Sequence, residues 1–193
     1  RLYAQPIQRA DGVGYHEILS RLESEGELLT PDRFLPLVAQ FNLSRRFDIS
    51  VVEALLVWLQ NHPSQECCAR FSVNLMPLTL MQKEVASEII ALFERYSVKP
   101  QTVIIEVTEE QAFSNSEVSI ANIQQLRQYG FKIAIDDFGT GYANYERLKR
   151  LQADIIKIDG CFVKDICSDS MDAMIVKSIC NLAKTRSLCV VAE

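Results

Sequence analysis

The chain has 193 residues, 48% of them hydrophobic and 23% charged, with a formal net charge of −5. That is enough for one domain with a sizeable core, and the negative balance excludes the broad basic field that draws proteins onto DNA. No apolar run approaches the ~18 residues of a membrane-spanning helix, and "RLYAQPIQR" lacks the apolar core of a signal peptide. The expected setting is the cytoplasm, with the parent protein open to inner-membrane attachment. The lack of a starting methionine reads as a fragment of something longer. Six cysteines, at 67, 68, 161, 167, 180 and 189, form no C-x-x-C pair. They read as reduced thiols, and zinc is disfavoured.

In chain order, the first strand candidates are "LYAQPI" and "GYHEILSR". The connection between them, "QRADGVG", is too short for a crossover helix, so an antiparallel pair is expected. A helix starts at Thr30-Pro31, with proline in the first turn. It is expected to turn Phe34, Leu35, Leu37, Val38 and Phe41 toward a core. A second helix runs from about Ser44 to Leu59. The strand "FSVNL" precedes a helix from about Leu80 to Tyr96. "TVIIEVT" precedes a helix over Glu117–Tyr129, stopped by Gly130. "KIAIDDF" precedes a glycine-punctuated loop and a short helix around Asn144–Leu151. "IIKID", a helix over Met171–Thr185 and "LCVVAE" complete the chain. Alternating strands and helices imply a largely parallel sheet covered by helices. The expected fold is α/β, a (β/α) barrel lacking its last unit, with an open doubly wound sheet as the fallback.

Strand after strand closes on a residue able to bind a cation or activate water: Glu17, Asn74, Glu106, Asp136, Lys157 and Glu193. The intervals from Asn74 to Glu106 and on to Asp136, 32 and 30 residues, suit successive βα units. Because side chains alternate along a strand, Glu17, Leu19 and Arg21 share a face, as do Glu106 with Thr108 and Lys157 with Asp159. Carboxyl ends of parallel strands surround the reaction site in such folds, so these groups are expected to converge. A single strand-end carboxylate reads equally well as a helix cap or a surface ion pair. Oxygen ligands at the ends of five strands, with a lysine on a sixth, are harder to dismiss. Carboxylates and an amide oxygen suit magnesium, calcium or manganese, whereas zinc or copper more often recruits histidine or cysteine. His16 and His62 have no such partner at ligand spacing. Lys157 among acids stays cationic and serves to position rather than to act as a base. "GTG" at 139–141 lacks the spacing and the ending of a P-loop.

Together these motifs resemble the bacterial EAL domain, the phosphodiesterase family acting on cyclic di-GMP. The matching segments run in order across the chain: "QPI", "EILSR", "VNL", "EVTE", "DDFGTGY", "KIDGCFV" and "VVAE". The resemblance implies a modified TIM-like barrel with an antiparallel first strand, and a single domain over 1–193 that is incomplete at its carboxyl end. It implies hydrolysis of cyclic di-GMP to linear pGpG with two magnesium or manganese ions. By position, Glu17, Asn74, Glu106 and Asp136 match the metal ligands, and Asp137 serves the second metal. Lys157 matches the catalytic lysine, with Glu17 and Glu193 as acidic partners in catalysis. Gln5, Leu19, Arg21 and Asp159 match substrate contacts, with Arg21 directed at phosphate. Glu109 resembles the acid that steadies the loop from Gly139 to Tyr142, through which a homodimer is expected. Fusion to upstream sensory or GGDEF-type domains is also expected.

Three departures stand out. "EIL" replaces "EAL", Met76 stands where serine is common, and the family's continuation beyond Glu193 carries a second acid, an eighth strand and a glutamine contact. The competing readings are a non-catalytic cyclic di-GMP receptor of the same fold and a glycosidase built on paired carboxylates. The glycosidase accounts for neither Asn74 and Lys157 nor the near absence of site aromatics.

Overall fold

The computed structural model describes residues 1–8, 14–62, 70–112, 116–140 and 153–193. The expected short helix at 144–151 lies outside them. One curled sheet has seven strands, ordered as the chain meets them: β1 (Leu2–Ile7), β2 (Tyr15–Ser20), β5 (Arg70–Asn74), β6 (Val103–Thr108), β7 (Lys132–Phe138), β8 (Ile155–Ile158) and β9 (Cys189–Ala192). The β1–β2 pair is antiparallel, as the short connection requires, and every later pair is parallel. Sequential order has no point at which the winding reverses, so the doubly wound alternative is excluded. The sheet is a partial barrel of the modified TIM type.

Alternation along the strands separates two apolar layers. Outward residues such as Val73, Ile105, Ile133 and Ile156 pack with Leu56, Ile89, Phe93 and Leu126 from the surrounding helices. Inward, Tyr15, Ile104, Ala134 and Ile155 form a smaller cluster with Ile7 and Val191. This second group is the floor on which the site stands.

Helix α1 (Pro31–Gln40) begins where the Thr30-Pro31 signal puts it, and α2 covers Ser44–Asn61. The expected core face of α1 is corrected, however. Only Phe34 is buried, while Leu37 and Phe41 are 52% and 65% exposed. Helix α1 leans on α2 through Phe34 against Phe47, with ring centroids 5.5 Å apart, and that contact covers one narrow stripe.

The expected helix from Leu80 is two pieces, α3 (Pro77–Leu80) and α4 (Val85–Tyr96), because Glu84 takes a left-handed φ of 69° between them. A short α5 (Glu109–Ala112) follows β6 directly. Helix α6 (Glu117–Tyr129) ends on Gly130 as expected, at a φ of 118° that favours glycine. Helices α7 (Gly160–Val163) and α8 (Ser170–Arg186) complete the shell. A hairpin of β3 (Leu22–Ser24) and β4 (Glu27–Leu29), turning at Glu25-Gly26, was not anticipated. No helix among the described residues is long and apolar enough to cross a membrane.

Candidate active site

Two residues beyond the apolar floor, the same strands turn polar. Tyr15 is followed inward by Glu17, Ile104 by Glu106, Ala134 by Asp136, Ile155 by Lys157 and Val191 by Glu193. The parallel register sets Asn74 beside Glu106 and Glu17 beside Ser72. The expected convergence therefore occurs at the carboxyl ends of the strands.

Lys157 is the centre of the cluster. It is fully buried, and its Nζ lies 2.8 Å from Glu106 Oε2, 3.0 Å from Glu17 Oε2, 2.9 Å from Asp136 Oδ1 and 2.6 Å from Glu193 Oε1. Burial alone would lower the lysine pKa, but the carboxylates of Glu106, Asp136 and Glu17 outweigh it and raise the value. The ammonium is thus fixed in its charged form. Burial pushes the Glu106 carboxyl up from 4.5 to about 7, against the pull of Lys157. Glu193 is also raised, by burial first, with Lys157 opposing.

Asn74 donates from Nδ2 to Glu17 Oε1 at 2.9 Å. Glu106 Oε1 is buried without a hydrogen-bond partner, and Asp136 Oδ1 meets Lys157 as an ion pair without hydrogen-bond geometry. Carboxylate oxygens of Glu17, Glu106 and Asp136 lie within 4.8 Å of one another, as do those of Asp136, Asp137 and Glu193. Four carboxylates thus surround one ammonium, with Asp137 beside Asp136 and Glu193, a formal excess of four negative charges when all five ionise (5 − 1).

Asp137 reaches this group because the backbone turns. The β7–β8 register shifts between Ile135 and Phe138, and Asp137 has a φ of 53°. Left-handed φ is one that Asp tolerates better than most residues. Burial, then the neighbouring charges of Asp136 and Asp159, raise its pKa. Asp159 caps α7 by accepting from Cys161 N at 2.7 Å, and bonding to Cys161 lowers its pKa. Glu109, 4% exposed, accepts from Gly139 N at 2.8 Å, so the acid after β6 holds the start of the loop after β7. A side chain at Gly139 would meet Phe162 at 3.0 Å, and its φ of 108° is glycine's. Tyr142 lies outside the described residues.

At the rim, the antiparallel register sets Gln5 opposite Glu17 and Tyr3 opposite Leu19. Arg21 donates to Ser20 O at 2.8 Å, and its guanidinium carbon lies 5.9 Å from the centre of the Tyr3 ring. Neither histidine joins the cluster: His16 stacks on Phe71 and His62 on Trp58.

Three contributors were not read from the sequence. Tyr3 is an aromatic at the rim, opposite Leu19. Asp48, 2% exposed on α2, accepts from Met76 N at 2.8 Å and so braces the turn after Asn74. Its signal was a charge on the stripe that Val52, Leu55, Leu56 and Leu59 bury. Burial raises Asp48 from 3.8 to about 7. Gln111 joins two strand ends, donating to Leu75 O at 2.9 Å and accepting from Thr108 N at 2.7 Å; no pattern in the sequence marked it.

A family model described as EAL domain matches residues 1–193. The chain is 67% identical over 192 residues to a probable cyclic di-GMP phosphodiesterase, PdeA, of Escherichia coli (strain K12), and 43% identical over 193 residues to cyclic di-GMP phosphodiesterase PdeF of the same strain. Each match covers all of this chain and 26% of the relative, so the chain spans about a quarter of their length. Among solved structures, the PaMucR phosphodiesterase in complex with c-di-GMP matches with a TM-score of 0.89 at 33% identity, over all of this chain and 79% of that one.

Proposed function

The chain belongs to the EAL domain family, and we propose that it hydrolyses one phosphodiester bond of cyclic di-GMP to give linear pGpG, lowering the level of this bacterial second messenger. The observation that carries the reading is the buried Lys157 ammonium within four carboxylates at the mouth of the barrel. A set of hard oxygen donors with excess negative charge and an orphaned buried acceptor, Glu106 Oε1, fits divalent cations. Glu17, Asn74, Glu106 and Asp136 would hold one ion, and Asp136 with Asp137 and Glu193 a second, of the magnesium or manganese class. When bound, such ions supply positive charge against the phosphoryl oxygens and acidify a water in the site.

The chain's own groups do the rest. Lys157, as an ammonium, donates hydrogen bonds to Glu17 and Glu106 and pairs with Asp136 and Glu193, which holds the four carboxylates in register. Gln5, Leu19 and Arg21 line the rim where the substrate enters, and Arg21 is the cation available to a phosphate. Asp159 stands beside Asp137 at the other side of the mouth. In the reaction the oxygen of water bonds to phosphorus and the bond from phosphorus to the ribose O3′ breaks. The water's proton ends on O3′. Every ligand position of the family within the chain is filled, which favours turnover over a receptor that only binds. The loop after Asp137, tied to Glu109, is read as the contact of a homodimer. The parent protein is read as carrying sensory or GGDEF-type domains, with the membrane attachment of the whole as a further element of the same reading.

The test is incubation of the full-length protein with cyclic di-GMP and magnesium or manganese, following pGpG by chromatography, with Glu17→Ala and Lys157→Ala as inactive controls. Tight binding without metal-dependent product would overturn the enzyme reading in favour of the receptor. Calcium, which prefers larger and looser coordination, is expected to suppress product.

A further inference from the structure

We propose that Tyr3 is the platform on which a guanine base of the substrate stacks, with the Arg21 guanidinium beside it; this rests on the cyclic di-GMP reading above. The side of the sheet that Tyr3 occupies follows from three successive cross-strand pairs. Ile7 opposes Tyr15, Gln5 opposes Glu17, and Tyr3 opposes Leu19. Directly opposed residues of an antiparallel pair put their side chains on the same face. Ile7 and Tyr15 both belong to the inward apolar floor, and Glu17 points inward to Lys157 at 3.0 Å. One step further toward the mouth, Tyr3 and Leu19 stand on that same inward face, above the carboxylates.

The chemistry of the position fits a base rather than a core. Tyr3 is 46% exposed, and Gln5 below it is exposed too, whereas Ile7, Tyr15 and Glu17 deeper on the same face are buried or half-buried. An aromatic ring left to solvent at the rim of a phosphodiester site offers a π-face, and every nucleobase presents one in return. Arg21, 5.9 Å from the ring centre, adds a planar cation that can stack on a base or fork onto a phosphate oxygen. Its Nη1 is tethered to Ser20 O at 2.8 Å, so the guanidinium is held at the rim in the free protein. The half-buried Leu19 opposite supplies the apolar edge of the same platform. Base recognition thus sits one layer above bond cleavage, on β1 and the end of β2.

The distinguishing measurement compares Tyr3→Ala, Tyr3→Phe and the unchanged full-length protein with added magnesium or manganese. Removal of a stacking ring is expected to raise KM for cyclic di-GMP about 10-fold, with kcat changed less than about 2-fold because no transition-state contact is lost. Tyr3→Phe keeps the ring and is expected to match the parent protein. A cyclic dinucleotide carrying fluorescent 2-aminopurine should be quenched on binding to the parent protein and to Tyr3→Phe, and markedly less by Tyr3→Ala. An unchanged KM and unchanged quenching in Tyr3→Ala, with Glu17→Ala still inactive, overturns the platform and leaves the phosphodiesterase standing. Loss in Tyr3→Phe equal to that in Tyr3→Ala also overturns it, since the hydroxyl rather than the ring would then matter. Absence of product from the unchanged protein with either metal overturns the phosphodiesterase reading instead.

Discussion

The inside of the barrel holds two layers on the same strands, and they obey opposite rules. The floor, with Tyr15, Ile104, Ala134 and Ile155, is buried and, apart from the Tyr15 hydroxyl, apolar, so its hydrocarbon surface stabilises the fold by its removal from water. The layer above it gathers Glu17, Glu106, Asp136, Glu193 and one lysine, with Lys157 and Glu106 closed to water and the Glu193 side chain still 32% exposed at the edge. Desolvating such charges costs several kcal/mol per ion before pairing offsets it. A step of two residues along each strand therefore separates what holds the protein together from what strains it. The strain is tolerated where a cation and a phosphate are to be met.

That contrast can be broken from either side. The largest effect is expected for Lys157→Met, which removes the cation the carboxylates share. Loss of the electrostatic donor should cut turnover about 10²–10³-fold, and leaving the buried carboxylates without their partner should cost the metal-free protein about 3–5 kcal/mol. Product assays and urea melts measure the two separately. In the floor, Ile104→Ala should cost about 2–5 kcal/mol by cavity formation. Its KM for cyclic di-GMP, measured where the variant is still folded, should stay close to the parent value. A variant that loses substrate affinity before stability would contradict the separation of layers.

A third probe lies outside the barrel, at Asp48. Its folded value of about 7 exceeds the ordinary 3.8, so between those values the folded protein holds more protons than the unfolded chain. The Asp48 contribution to stability is therefore expected to fall as pH rises from about 4 to about 7, by at most about 4 kcal/mol, and to flatten above, on top of a same-sign contribution from Glu106. Asp48→Asn keeps an acceptor for Met76 N and should remove much of that slope in urea titrations across the range. The smallest effect is expected for Asp137→Asn, which keeps a residue suited to left-handed φ while deleting one charge from an acidic group. Metal-free protein should gain about 0.5–1 kcal/mol, held low by solvent screening, while turnover falls. A loss of stability instead would mean that the repulsion assigned to Asp137 is already relieved in the metal-free state.

Much of the site was legible because period-2 alternation carries over from sequence to barrel unchanged. Glu106 on "VIIEVT" and Lys157 on "IIKID" can face only one way once their apolar neighbours face the helices. Asp137 was legible for a different reason: two adjacent acids at a strand end require a turn if both are to face the mouth, and the positive φ supplies it. Elsewhere the pattern misled. Leu37 and Phe41 have helical spacing, yet spacing says nothing about whether a neighbour covers the face, and on α1 only Phe34, against Phe47 of α2, is fully buried. The β3–β4 hairpin went unread since three-residue strands are too short to show alternation.

The sequence by itself determined the order of strands and helices, the antiparallel first pair, and the inward face of each strand-end acid. These follow from local rules: connection length, periodicity and the positions of glycine and proline. Only the tertiary structure decided that four carboxylates would share one buried ammonium. It alone set Tyr3 opposite Leu19 at the rim and used Asp48 and Gln111 to brace the strand ends. Such facts depend on register and on distances between residues far apart in the chain, where free energy is fixed by which groups meet after the sheet has curled.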